Sequence, residues 1–211
     1  MVSVIIQIMA KSRTRVALFG GTFDPPHIGH IVAIRQILDT KKFDEIWVVP
    51  SGVRRDKRSI APPHDRLTMT RLLVKHAFPP LENVKVLVKS HLIKNPDAFP
   101  FTIQEVEFLQ KKYPGLRFTV AVGADQAQVL QYWHNAEKLF GMLDFLILAR
   151  DGRPANVHPK CRATLIDPEE AIWMSISSTQ LRRRLAHGHS ISGLTLLPIV
   201  RYIQKRKLYR R

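Results

Sequence analysis

The chain is poor in cysteine and in long apolar runs, and both shortages narrow its class. Its one cysteine, Cys161, excludes an intrachain disulfide and favours a reducing compartment, so we expect the cytoplasm. No apolar run approaches the roughly 20 residues that cross a bilayer, so we expect no membrane partner. A chain of 211 residues with 45% hydrophobic content can bury a core of its own. We therefore predict one domain over residues 15–211, preceded by an N-terminal extension, residues 1–14, that is disordered or forms an edge strand.

Acidic residues are also scarce. The sequence has 17 Asp and Glu residues against 33 Lys and Arg residues, which gives a formal net charge of +16. This balance favours anionic partners, and both a solvated basic surface and a nucleic-acid-binding module fit it. Aromatic residues make up 8% of the chain and lie mostly in apolar runs, whereas RNA-binding proteins stack bases on exposed aromatic rings. A nucleic acid is therefore the less favoured partner.

Apolar segments alternate with amphipathic ones along the chain. The near-continuous apolar runs are typical of central strands in a parallel sheet, and the segments between them have helical spacing. The predicted strands are 15–20, 45–50, 84–89, 117–123, 145–150 and 163–167, and the predicted helices are 28–40, 64–76, 102–112, 124–140, 178–187 and 198–208. This order predicts an α/β fold, a single-domain, Rossmann-like, doubly wound parallel sheet with helices on both faces. Ligands of such sheets bind beyond the carboxyl ends of the strands.

The stretch "GGTFDPPHIGH", residues 20–30, joins the first predicted strand to the first predicted helix. Gly20 and Gly21 permit a sharp turn and a close approach of the backbone to a ligand. His27 and His30 are three residues apart, which puts both rings on one face at the start of the helix. Two imidazoles beside a helix N-terminus suit an anion such as phosphate.

Two other interpretations of this stretch stay open. One is a purely structural junction between strand and helix. The other is a metal site, since histidines at this spacing can bind an ion together. No cysteine or carboxylate lies within the same helical turn, so we predict no metal site held by the protein. The glycine spacing matches neither the dinucleotide fingerprint nor the Walker loop.

A second polar stretch, "ISSTQLRRRL", spans residues 176–185. Ser177, Ser178 and Thr179 are typical of a helix cap, with hydroxyls and free amides at the start of a helix. Arg182 lies three residues beyond Thr179, so its guanidinium shares that face. Hydroxyls, amides and a forked cation can cradle a phosphate. An ordinary capped surface helix is the alternative.

Together the motifs carry a family resemblance. The stretch "GGTFDPPHIGH" resembles the signature of the nucleotidyltransferase superfamily with the H-x-G-H motif. The stretches "ISSTQLRRRL", "VGADQAQVLQYWHNAEKL" and "FPFTIQEVEFL" are similar to segments of bacterial-type nicotinate (nicotinamide) mononucleotide adenylyltransferases, and the resemblance runs in order from Val16 to Tyr209. It implies transfer of AMP from ATP to nicotinate mononucleotide in NAD biosynthesis. Pyrophosphate would be released, and Mg²⁺ would arrive with ATP.

The resemblance also implies roles for the matching residues. His27 and His30 would act at the α-phosphate, and Arg182 would hold the leaving pyrophosphate. The residues implied to bind ATP are Gly20, Gly21, Thr22, Phe23, Gly29, Ser177, Ser178 and Thr179. Those implied to bind the mononucleotide are Thr102 at the pyridine carboxylate, Gly123 and Asp125 at the ribose hydroxyls, and Trp133 stacked on the ring.

The chain departs from the family pattern in two places. After "WVVPSG" the family usually has a Pro-Pro-His-Lys-like stretch, whereas this chain has "VRRDKRS", which leaves the role of Lys57 open. Phe101 replaces the more usual tyrosine before Thr102. The first departure leaves a nicotinamide acceptor open. A pantetheine-phosphate type of transfer, which shares the histidine motif, and a core role for Trp133 also stay open. A homo-oligomer is compatible with the sequence.

Overall fold

The computed structural model describes residues 13–52, 61–80, 83–149, 156–167, 169, 171–172 and 174–209. Of the predicted N-terminal extension, residues 1–14, only residues 13 and 14 lie within these ranges, and Thr14 is already the first residue of a strand. Lys57 also lies outside them. Within these ranges, no helix has the length and apolar character that crossing a membrane requires.

The described residues form a parallel sheet of six strands. They are β1 (Thr14–Gly21), β2 (Glu45–Pro50), β3 (Lys85–Val88), β4 (Leu116–Gly123), β5 (Asp144–Leu148) and β6 (Ala163–Leu165). Their order is β3-β2-β1-β4-β5-β6, and every neighbouring pair is parallel. This confirms the predicted doubly wound α/β fold. The winding direction reverses between β1 and β4, so a crevice opens beyond the carboxyl ends of these two strands.

Helices cover both faces of the sheet, as predicted. They are α1 (Ile28–Asp39), α2 (Pro63–Ala77), α3 (His91–Lys94), α4 (Thr102–Lys112), α5 (Ala124–Ala127), α6 (Ala136–Met142), α7 (Ser178–Ala186) and α8 (Leu197–Arg206). Successive side chains of a strand point to opposite faces. In β1, Ala17 and Phe19 join a core with α1, α2, α7 and α8, whereas Val16 and Leu18 join a core with α4, α5 and α6. The long central strands are therefore buried on both sides.

The single helix predicted over residues 124–140 is wrong. The chain forms α5, then a 3₁₀ turn over Leu130–Tyr132, then α6. Trp133 is extended, with φ −68° and ψ 149°, and Asn135 is left-handed, with φ 53°. Asparagine tolerates that conformation better than most residues. These two backbone conformations interrupt the predicted helix at residues 132–134. The short helix α3 was not predicted either.

Candidate active site

Two cavities lie side by side at the carboxyl ends of β1 and β4. The first has a volume of about 460 Å³ and the second about 240 Å³. Both are lined by Phe19, Gly20, Gly21, Gly123 and Gln126. Because these residues form a shared wall, two ligands bound in the separate cavities would meet there. This is the crevice that the strand order predicts.

The second cavity collects two motifs that are about 150 residues apart in sequence. Both histidines of the first motif line it, and so do all the residues that the resemblance implied for ATP. These are His27, His30, Gly20, Gly21, Thr22, Phe23, Gly29, Ser177, Ser178 and Thr179. Helices α1 and α7 both begin at this cavity. The backbone amides and the positive dipole ends at their N-termini favour an anion there. The donor set suits a polyphosphate.

The two histidine rings are in contact at the start of α1. Their centroids are 3.9 Å apart, and His27, the N-cap residue, is 6% exposed. The backbone N–H of His27 donates to Nδ1 of His30 at 3.1 Å. In the neutral ring of His30 the proton is therefore on Nε2, which makes this nitrogen the donor of the ring. The ring of Phe23 lies beside His30, with centroids 4.7 Å apart, and limits the positions that His30 can take.

Glycines shape the wall of this cavity for different reasons. A Cβ on Gly21 would lie 2.9 Å from the ring of Phe23, and one on Gly29 would lie 2.8 Å from Cγ2 of Ile176. Packing within the protein therefore requires these two glycines. A Cβ on Gly20 would meet nothing within 4 Å, although Gly20 lines both cavities. No atom of the described residues fills this space, and because Gly20 has no Cβ, the space is open to a ligand.

Arg182 lies behind the second cavity and is not among the described residues that line it. Its guanidinium donates to the carbonyl of Asp24 at 2.7 Å and to Oγ1 of Thr179 at 3.0 Å. Its side chain is 13% exposed, and its Nη1 lies 3.9 Å from the Asp24 carboxylate. The structure therefore joins Arg182 to both motifs through Asp24 and Thr179. A direct contact between Arg182 and pyrophosphate stays a prediction.

The first cavity is lined by aromatic rings together with Thr102, Gly123 and Trp133 of the predicted mononucleotide group. The rings include Phe99 and Phe101, and Tyr132 is 78% exposed at this site. Trp133 is half-buried and packs against the core around α4 and α6 while it lines the cavity. The two interpretations of Trp133 are thus compatible with each other. A planar ligand could stack in this cavity.

Asp125 is separated from the rest of the predicted mononucleotide group. It is exposed in the first turn of α5 and lines the second cavity, whereas Gly123 lines both cavities. The carboxylate of Glu105, which was not predicted, lines the first cavity instead. Glu105 accepts a hydrogen bond from Nε2 of His91, or shares its proton, at 2.8 Å.

Arg66 is a supporting residue that the sequence did not reveal. It lies in α2, is 0% exposed, and donates to the carbonyls of Thr22 at 2.8 Å, Ser51 at 2.7 Å and Gly52 at 2.7 Å. Burial lowers the pKa of its guanidinium from the ordinary value. One buried cation therefore ties the loop after β1 to the loop after β2. An isolated arginine in an amphipathic helix carries no sequence signal for such a role.

The chain has relatives of named function along almost its whole length. A model of the cytidylyltransferase-like family matches residues 18–184. The probable nicotinate-nucleotide adenylyltransferase of Halalkalibacterium halodurans is 32% identical over 198 residues, which cover 93% of this chain and 91% of that protein. The protein of the same name from Exiguobacterium sibiricum is 32% identical over 209 residues, covering 92% and 98%.

Solved structures show the same fold. The nicotinic acid mononucleotide adenylyltransferase of Plasmodium falciparum, complexed with NaAD, is similar to this chain with a TM-score of 0.77. The match covers 93% of this chain and 97% of that one. The two sequences are 22% identical, so this likeness establishes the fold alone.

Proposed function

The chain belongs to the cytidylyltransferase-like family, and we propose that it is a nicotinate-nucleotide adenylyltransferase, the function for which its relatives at 32% identity are named. It would transfer AMP from ATP to nicotinate mononucleotide, giving deamido-NAD and pyrophosphate. The observation that carries this proposal is the pair of cavities joined at Gly20, Gly21 and Gly123. One cavity offers hydrogen-bond donors that suit the phosphates of ATP. The other offers aromatic rings that suit the pyridine ring of the mononucleotide.

The joined cavities suit a direct transfer between the two bound substrates. An oxygen of the 5′-phosphate of nicotinate mononucleotide forms a bond to the α-phosphorus of ATP. The bond from that phosphorus to the oxygen bridging to the β-phosphate breaks, and pyrophosphate leaves with the electron pair. The nucleophile is the substrate's own phosphate, so the protein supplies position and charge stabilisation.

The residues of the second cavity would stabilise the negative charge of the reacting phosphates. Nε2 of His30 is the donor that we assign to the α-phosphate, because Nδ1 already accepts from the backbone. His27 supports the ring of His30 at a centroid distance of 3.9 Å. The hydroxyl of Thr179, which accepts from Arg182, and the backbone amides of Ser178 and Thr179 at the start of α7 would donate to the β- and γ-phosphates, whereas the hydroxyls of Ser177 and Ser178 donate to Gln180 and to the carbonyl of Pro25. Preorganised donors of this kind are a large term in catalysis.

The first cavity would bind the pyridine mononucleotide. The ring of Trp133 offers a flat surface for the pyridine ring, and Thr102 places a hydroxyl and a free amide at the start of α4. A free amide at a helix N-terminus favours the carboxylate of nicotinate over the neutral amide of nicotinamide. Nicotinate mononucleotide is therefore the preferred acceptor in this proposal, and nicotinamide mononucleotide is the second candidate.

Mg²⁺ enters this proposal as part of the ATP substrate. The triphosphate supplies the hard oxygen ligands that this ion prefers. In the described residues no group of three His, Cys, Asp or Glu side chains is placed to hold a metal ion. The carboxylate of Asp125, which lines the second cavity, would contact the ion or its waters from the protein side.

A pyrophosphate-release assay tests the proposal. The full chain would be incubated with Mg²⁺ and ATP and with one acceptor at a time: nicotinate mononucleotide, nicotinamide mononucleotide or 4′-phosphopantetheine. We expect the highest kcat/KM with nicotinate mononucleotide, and formation of deamido-NAD in equal amount to pyrophosphate. Faster release with phosphopantetheine, or no dinucleotide product, would contradict the proposed function.

A further inference from the structure

A buried polar cluster lies behind the loop that carries the two histidines. Its centre is Asp24, which is 1% exposed and belongs to the loop between β1 and α1. Its members come from distant parts of the chain: Asp24, Ala61, Arg182 and Tyr209. We infer that Tyr209, near the C-terminal end, is a positioning residue for catalysis, acting through Asp24 and Arg182 on the loop. This inference rests on the proposed function, because it names how the same site is kept in its working shape.

The carboxylate of Asp24 is held on two sides. Oδ1 accepts from the hydroxyl of Tyr209 at 2.7 Å and from the backbone N–H of Ala61 at 3.1 Å. Oδ2 lies 3.9 Å from Nη1 of Arg182, and that same nitrogen donates to the backbone carbonyl of Asp24 at 2.7 Å. Tyr209 and Arg182 therefore meet on one acidic residue, from opposite ends of its carboxylate.

The connection continues to the wall of the second cavity. Arg182 also donates to Oγ1 of Thr179, which lines that cavity. The carbonyls of the next two loop residues, Pro25 and Pro26, accept from Ser178 at 2.9 Å and Thr195 at 2.8 Å. The loop that ends at His27 is thus bound along its length to C-terminal segments. A change in the Asp24 carboxylate would move the donors that face the phosphates.

The chain adopts an unusual backbone to bring Tyr209 to this place. Lys207, the C-cap residue after α8, has φ 53°, and Tyr209 itself has φ 63°, both in the left-handed region that residues with a Cβ disfavour. Tyr209 is nevertheless 8% exposed. Burial, with the Asp24 charge as the next cause, raises the pKa of its hydroxyl, so the group stays a hydrogen-bond donor. Strained conformations persist where the surrounding contacts hold them.

The same helix provides a matched control. The hydroxyl of Tyr202 donates to Oδ1 of Asp65 at 2.7 Å, the same length as the bond from Tyr209 to Asp24. Asp65 is also 1% exposed, and it keeps a second partner in Nε of Arg206 at 3.1 Å. Tyr202 and Asp65 are absent from the described residues that line the two cavities. One tyrosine–aspartate bond therefore joins α8 to α2, and the other joins the C-terminal end to the active-site loop.

The experiment compares Tyr209→Phe with Tyr202→Phe in the full chain. Each variant loses one hydroxyl that donates to a buried aspartate, but the bond of Tyr202 is part-buried and that of Tyr209 is buried, so we expect the smaller decrease in unfolding temperature for Tyr202→Phe. We expect Tyr209→Phe to lower kcat for AMP transfer about tenfold, since small displacements of catalytic groups are costly. We expect Tyr202→Phe to keep kcat and both KM values within about twofold of wild type. Equal kinetics in the two variants would overturn the inference.

A double-mutant cycle tests whether Tyr209 acts through Asp24. If the two residues act as one unit, Asp24→Asn combined with Tyr209→Phe lowers kcat no further than the larger single change. Multiplied losses would overturn the inference.

Histidine ring NMR signals, assigned with His27→Ala and His30→Ala, give a readout without turnover. Tyr209→Phe should shift them and Tyr202→Phe should not; unshifted signals in both would overturn the inference. An inactive wild type with shifted signals would contradict the proposed function alone.

Discussion

The two cavities are lined by different kinds of chemical group. The lining of the second includes two histidines, several hydroxyl side chains and the starts of two helices, and hydrogen bonds from Arg66, Arg182 and Thr195 hold the loop behind it. The first is lined largely by aromatic and apolar side chains from the central strands and from the turns beyond them, with Trp133 and Tyr132 in the break between α5 and α6. These hydrogen bonds from distant residues form a frame behind the second cavity, whereas the first cavity is shaped mainly by its lining side chains.

This difference separates two tasks of the proposed reaction. Every nucleoside triphosphate presents the same phosphates. One set of hydrogen-bond donors therefore serves the transfer whatever the acceptor is. The acceptor is distinguished by its ring and its substituent, and these would contact side chains of the first cavity. We therefore expect changes in the second cavity to lower kcat, and changes in the first cavity to raise the KM of the acceptor.

The largest expected effect is at His30. His30→Ala removes the donor that we assign to the α-phosphate, so kcat should fall by about 10² or more. The KM of nicotinate mononucleotide should change little, because the first cavity keeps its lining. Steady-state kinetics measure both values, and circular dichroism checks the fold. The matched control is His76→Ala, an exposed histidine on α2, and near-normal turnover of His30→Ala would remove the assignment.

The next effect is at Trp133 and tests the other side of the comparison. Trp133→Ala should raise the KM of nicotinate mononucleotide about tenfold through lost stacking and area. The KM of ATP should stay within about twofold. Trp133→Phe keeps an aromatic face, so it should retain most of the affinity. An unchanged acceptor KM in Trp133→Ala would mean that this ring serves the core alone.

The second cavity was the more predictable of the two. Its residues come from two contiguous motifs, and the types Gly, His, Ser and Thr at a strand–helix junction already indicate phosphate binding. The parallel fold follows from apolar runs such as residues 16–19, all of them buried. The sequence thus predicted which segments meet, because the carboxyl ends of neighbouring parallel strands share one edge of the sheet.

The rest depends on contacts that have no local signal. Arg66 and Tyr209 reach the loop after β1 from 44 and 185 residues away, with Thr22 and Asp24 as their partners. The break at Trp133 was missed because the buried positions on both sides keep helical spacing, so periodicity alone continues the helix. Tertiary contacts, and not local propensity, decide these features.

Two neighbouring glycines sharpen the distinction between packing and ligand space. Gly21→Ala would place a methyl group 2.9 Å from the buried ring of Phe23, so we expect a loss of about 1–3 kcal/mol in the free energy of unfolding. Gly20→Ala meets no protein atom within 4 Å, so its stability should stay within about 0.5 kcal/mol of wild type. Its methyl group would instead intrude where the two substrates meet, and kcat/KM should fall. Urea unfolding and kinetics of both variants measure this, and the reverse pattern would contradict the assignment of Gly20 to ligand space.

The smallest expected effect is on stability at alkaline pH, and it tests whether the frame behind the second cavity is a buried polar one. Burial raises the pKa of Tyr209 above its ordinary value of 10.0, so the folded state holds this proton more tightly than the unfolded state. The resulting stability is fully present below pH 10 and is lost as the pH rises from there toward the raised pKa of the folded state. Because one proton is involved, the loss is at most about 1.4 kcal/mol per pH unit. Urea midpoints measured from pH 8 to 11 should therefore fall more steeply for wild type than for Tyr209→Phe, since lysine titration is common to both proteins. Parallel curves would mean that the hydroxyl of Tyr209 is exposed to water, and the frame behind the second cavity would then lack the buried bond from Tyr209 to Asp24.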